Sequence, residues 1–152
     1  PQSGRDRELT QFGMEVLGSD DPITDAEVIS LAVNIYKMLG LKEIKVNINS
    51  LGDKESRDNY RKVLIDYFTP HIKDFCEDCQ ERLEKNPLRI LDCKVDGNKE
   101  CMKNYPRISD YLSLESQEYF TNICKVLTSY NLPYTIDPKL VRGLDYYNDI
   151  VF

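Results

Sequence analysis

The sequence predicts an α+β chain, with pieces of an antiparallel sheet at both ends and a mostly helical stretch between them. Three observations carry this. Residues 44–50, Ile-Lys-Val-Asn-Ile-Asn-Ser, alternate apolar and polar side chains with the period of two that marks a half-buried strand. Apolar side chains recur at three-to-four-residue spacing from Val28 to Leu39 and again from Tyr60 to Leu83, as on amphipathic helices. The last thirteen residues run from Leu140-Val141 through Arg142, Gly143, Asp145, Tyr146 and Tyr147 into Ile150-Val151, which reads strand, tight loop, strand.

Taken in order, residues 1–8 form a polar loop able to close over a ligand. Residues 9–17 suit a strand despite Gly13, with Gln11, Gly13 and Glu15 on one face and Phe12, Met14 and Val16 on the other. The missing side chain at Gly13 would leave room for a small ligand against the sheet. Thr24 and Glu27 make a capping-box pattern for the helix that ends at Gly40. After Gly52, helical patterns run to about residue 85, broken at Pro70 and stopped by Asn86-Pro87. Leu88–Leu91 is a short turn or strand, residues 95–105 a polar loop, and residues 114–130 a last helix ending before Pro133. The expected organisation is a sheet-bearing core in residues 1–52 and 132–152, interrupted by a helical insertion at 53–131.

No apolar run reaches the roughly 20 residues of a membrane span, and no secretory pattern occurs. Together with an odd count of five cysteines, this predicts a cytosolic protein with reduced thiols. The chain begins at a proline and stops in a strand-like run, so a fragment of a longer protein is expected. The net charge of −6 is unevenly spread: residues 54–107 hold 12 of the 20 basic and 11 of the 26 acidic residues, a balance of +1, leaving −7 elsewhere. Any phosphate contact therefore belongs in the middle of the chain, although mixed solvated helix faces account for each lysine singly.

Arg142 offers a planar fork of donors suited to a carboxylate or phosphate, and in an extended chain Tyr146 and Tyr147 point to opposite faces. One tyrosine can then face a pocket while the other packs. Residues 140–147, Leu-Val-Arg-Gly-Leu-Asp-Tyr-Tyr, resemble the histidine-binding signature of histidyl-tRNA synthetases. Residues 1–18 look like the latter half of the second signature motif of class II aminoacyl-tRNA synthetases in its histidine-specific form. The resemblance implies a class II antiparallel sheet flanked by helices, which activates histidine with ATP and Mg²⁺ and passes it to tRNA(His). It implies a histidine pocket lined by Gln11, Glu15, Tyr146 and Tyr147, with Arg142 on the substrate carboxylate and the α-phosphate, and Arg5, Arg7 and Arg142 on ATP. It further implies a homodimeric full-length protein and a tRNA acceptor-side role for the insertion. An imidazole has two nitrogens able to donate, so a carboxylate plus a tyrosine hydroxyl reads it selectively. Departures are Leu9, where the motif has an adenine-stacking phenylalanine, and the acidic Asp6 and Glu8. The alternative is a non-catalytic paralogue that binds histidine as a regulatory subunit; retention of Arg142 with the tyrosine pair favours the enzyme. The fragment alone is expected to be inactive.

Cys76 and Cys79, with Cys93 and Cys101, could form a four-thiolate zinc site, but eight residues separate the second pair, so buried structural thiols are expected and no metal. His71, the only histidine, is expected at a helix start. No glycine-rich phosphate loop is present.

Overall fold

The computed structural model describes residues 8–142 and 147–152. Four helices, α1 (Pro22–Met38), α2 (Lys54–Phe68), α3 (Glu77–Lys85) and α4 (Leu114–Ser129), accompany three short strands, β1 (Asn47–Gly52), β2 (Thr135–Ile136) and β3 (Asp149–Val151). The strand order is β2-β1-β3. Only the β1–β3 pairing is antiparallel; β1 and β2 run parallel, Asn47 beside Thr135. The architecture is α+β as expected, and the sheet is mixed.

With neighbours on both edges and helices on both faces, β1 is buried from Ile48 to Gly52 rather than half-buried. No strand forms in residues 9–17. Phe12, Gly13 and Met14 instead line an apolar groove with Val28, Leu31 and Ile35 of α1 and with Phe152.

Asp21, not Thr24, caps α1: its carboxylate accepts the Ile23 N–H at 2.9 Å, and Pro22 takes the first turn, where no donor is needed. Leu88–Leu91 is neither strand nor simple turn, since a 3₁₀ segment spans Pro87–Ile90.

The buried side chains divide into two clusters. One joins α1 (Ala26, Ile29, Val33), β1 (Ile48), α4 (Ile123, Leu127) and Leu132. Across it, the Tyr119 hydroxyl donates to Asp25 at 3.0 Å. The other is built from Tyr60, Leu64 and Phe68 of α2, then Phe75, Cys79, Ile90, Met102, Tyr105 and Ile108. Thus α4, counted with the insertion on sequence, packs with α1 against the sheet. Residues 53–112 form the second cluster.

Candidate anion-binding cleft

Beside β1 a cavity of about 300 Å³ opens between α2 and the end of the chain, lined by Leu51, Lys54, Arg57, Asp58, Arg61, Asn86, Leu88, Arg142 and Tyr147. Four cations face one carboxylate. Lys54, Arg57 and Arg61 fall on one side of α2 because three, four and seven residues bring a helix back to the same face. Neither arginine is spent on a carboxylate. Arg57 donates to the Gly52 carbonyl at 2.8 Å, and Arg61 donates to the Glu84 and Lys85 carbonyls at 2.9 Å each, where the end of α3 leaves carbonyls without helical partners. Among the described residues none of the four cations makes a close ion pair, although Arg57 stands near enough to Asp149 to oppose the rise that burial imposes on its carboxyl.

Arg142 reaches the cleft from a short segment held at two points. Asn49, 4% exposed, donates its side-chain amide to the Leu140 carbonyl at 3.1 Å, and Val141 packs on the α2 cluster. The expected strand at 140–141 is replaced by this turn, which the Leu140 N–H closes on Asp137 at 3.0 Å. The Arg142 guanidinium carbon lies 5.5 Å from the centre of the Tyr147 ring, a cation–π arrangement, and both side chains line the cleft.

The start of α2 is fixed by an interlocked pair of helix caps. Asp53 accepts the Ser56 N–H at 2.7 Å and the Ser113 hydroxyl at 2.5 Å. In return Ser113, which caps α4, donates its N–H to the Ser56 hydroxyl at 2.8 Å, and the Asp53 N–H reaches the Ser116 hydroxyl at 3.0 Å. The Ser113 hydroxyl, then the Ser56 N–H, hold the Asp53 carboxyl down to about 2.

Of the residues singled out on sequence, the structure brings Arg142 and Tyr147 together. Gln11 and Glu15 are exposed and do not line this cleft. Arg5, Arg7 and Tyr146 lie outside the described residues. Sequence reasoning missed the α2 cations and Asn49. The spacing of Lys54, Arg57 and Arg61 was the available signal; a buried asparagine bridging 91 residues leaves none. His71 sits in the 3₁₀ turn Thr69–Asp74 after α2, exposed.

A small sheet backed by helices, with a second helical cluster and a cation-rich cleft between them, defines an α+β protein with a site suited to an anionic ligand. The family model for histidyl-tRNA synthetase matches residues 1–152. Histidine–tRNA ligases of Oceanobacillus iheyensis and Halalkalibacterium halodurans are 54% and 56% identical over all 152 residues. The chain spans only 35% and 36% of their lengths. Among solved structures, apo S. aureus histidyl-tRNA synthetase superposes with a TM-score of 0.66 at 41% identity, over 88% of this chain and 31% of that one. The chain belongs to the histidyl-tRNA synthetase family.

Proposed function

We infer that the full-length protein is a histidine–tRNA ligase acting in the cytoplasm as a homodimer, and that this chain contributes part of its active site and a tRNA-facing lobe. One observation carries the assignment: Arg142 and Tyr147, two residues of the signature that fall among the described residues, meet in a cleft with three further cations. The names of the relatives support it.

In the first half-reaction a histidine carboxylate oxygen bonds to the α-phosphorus of ATP as the bond to the bridging oxygen breaks, and pyrophosphate leaves. In the second, a ribose hydroxyl at the tRNA terminus attacks the acyl carbon and AMP leaves. Arg142 holds an α-phosphate oxygen and the incoming carboxylate on its fork, so two anions meet without repulsion as charge builds up. Gln11, Glu15, Tyr146 and Tyr147 take the histidine side of the pocket, and Arg5 and Arg7 the ATP side. Lys54, Arg57 and Arg61 supply a track for the phosphates of the tRNA acceptor end, and residues 53–112 are the inserted lobe. Mg²⁺ bound with the ATP phosphates would add charge neutralisation for the leaving pyrophosphate; among the described residues Asp58 is the carboxylate that lines the cleft, and no step here is routed through the ion.

Arg142→Lys in the intact protein tests this, because lysine keeps the charge and removes the fork. Histidine and ATP should still bind while pre-steady-state adenylate formation falls on the order of 10²-fold or more, the scale of losing one preorganised donor. An unchanged rate removes Arg142 from the chemistry. Retained histidine binding in a wild-type protein without histidine-dependent pyrophosphate exchange is what the regulatory alternative expects.

A further inference from the structure

Away from the cleft, Cys76, Cys79, Cys93 and Asp96 each turn a ligand atom inward, and the four atoms lie within 4.8 Å of one another. Three of the residues are buried: Cys79 at 0%, Cys93 at 7% and Asp96 at 2% exposure. The Cys76 and Cys93 sulfurs are 3.8 Å apart, and Asp96 Oδ2 is 3.6 Å from the Cys93 sulfur. Two thiolates bound tetrahedrally to one zinc at about 2.3 Å each stand about 3.8 Å apart, so this pair already has the edge length of the tetrahedron. Disulfide sulfurs stand at about 2.05 Å. The widest separation need close by only about 1 Å to complete the shell.

The surroundings favour a cation at the centre. The group unites two chain segments, each contributing ligands three residues apart: Cys76 with Cys79, and Cys93 with Asp96. Cys76 occupies the cap position of α3, yet its side chain makes no cap hydrogen bond. Asp96 is held from behind, its Oδ2 accepting the Cys76 N–H at 3.1 Å and its Oδ1 3.6 Å from the Lys99 ammonium. The Asp96 N–H lies 3.5 Å from the Cys93 sulfur, the kind of backbone donor that orients a metal-bound thiolate. The tight 93–97 turn depends on Gly97, because a Cβ there would stand 2.8 Å from the Cys93 carbonyl oxygen. An apolar core gains nothing from three thiols and a carboxylate pointed at one another, whereas that donor set suits zinc.

We propose that Cys76, Cys79, Cys93 and Asp96 form a structural zinc site, three thiolates and one carboxylate oxygen closing a four-coordinate shell. Binding releases three thiol protons to solvent, and no ligand position remains for a reacting water. The ion fastens the start of α3 to the 93–97 turn. Cys101, the remaining sulfur of the four-thiolate pattern, stays outside the group, and its carbonyl accepts the Tyr67 hydroxyl at 3.0 Å.

The test is metal analysis of the intact, untagged protein purified under reducing conditions, followed by exchange with Co²⁺. One zinc per chain is expected, and the cobalt form should show tetrahedral d–d bands with thiolate-to-metal charge transfer. Cys79→Ser should weaken zinc binding at least tenfold, and Cys101→Ser should leave it unchanged. Should Cys79→Ser not fold, Asp96→Cys carries the comparison, since a fourth thiolate should keep the stoichiometry and strengthen the charge-transfer band. Substoichiometric zinc after reconstitution with zinc chloride, a cobalt spectrum without thiolate bands, or a Cys76–Cys93 disulfide in the isolated protein would overturn the proposal.

Discussion

Asn49 and Gly52 lie three residues apart on β1 and decide where the cleft's arginines stand. Replacing Asn49 with leucine removes the donor to the Leu140 carbonyl and should cost about 2 kcal/mol, the scale of orphaning a buried acceptor, as measured by denaturant unfolding. Gly52 has φ +66°, and a Cβ there would stand 2.6 Å from Ser56 Cβ and 2.7 Å from Leu112 Cδ2. Gly52→Ala therefore meets both a left-handed backbone and a filled space, and about 3 kcal/mol of destabilisation is expected. A loss under 1 kcal/mol would show that α2 can move aside. Asp53 adds a pH dependence. Its carboxyl, ordinarily near 3.8, is held down to about 2 in the folded chain, so its contribution is complete above about pH 4 and drains away as pH falls towards 2. Asp53→Asn should flatten stability across that window by roughly 1–2 kcal/mol, readable from urea midpoints at pH 5 and pH 2.5.

Helices α1, α2, α3 and α4 were legible because each carries an apolar stripe of helical period and a stop signal that acts locally: Gly40 after α1, Pro70 after α2, Asn86-Pro87 after α3, Asn131 after α4. Strands were less legible. The pattern at residues 9–17 is a strand pattern in composition, but a strand needs an edge to pair with, and that depends on the rest of the sheet. Likewise the assignment of α4 followed its neighbours in sequence, although its buried residues face α1. Arg142 and Tyr147 belong to a contiguous motif, whereas the α2 cations are visible only once helix periodicity is applied to charge. Asp96, which the proposed zinc shell uses, left no signal in the sequence, because its burial against Cys93 depends on how the 93–97 turn folds back on α3. For α2 itself, Lys54→Gln with Arg61→Gln should weaken tRNA binding and lower the slope of log affinity against log salt by about 1 to 2, one for each phosphate left unneutralised. Histidine-dependent pyrophosphate exchange should change little; equal loss of both would assign the two residues to adenylate formation.

Across the molecule, Leu9, Phe12 and Leu17 are 72%, 74% and 88% exposed, and Met38 and Leu39 at the end of α1 are 87% and 70% exposed. So much uncovered apolar surface fits burial against the further two thirds of length that its curated relatives have. The isolated 152-residue chain should therefore bind a hydrophobic dye or self-associate in sedimentation, and should not catalyse pyrophosphate exchange; on the proposed function a full-length protein is expected to do the reverse. No helix among the described residues is long and apolar enough to cross a membrane.

The interlocked caps of Asp53, Ser56, Ser113 and Ser116 have an architectural corollary. They hold the chain's departure from the sheet at residue 53 beside its return at residue 113. A lobe whose two ends meet at a hydrogen-bonded doorway can be lengthened, shortened or exchanged without stretching its host, since closing the gap costs little loop entropy. On the proposed division, residues 53–112 would behave as a cassette, and the sheet with α1 and α4 as the socket that would accept a different one.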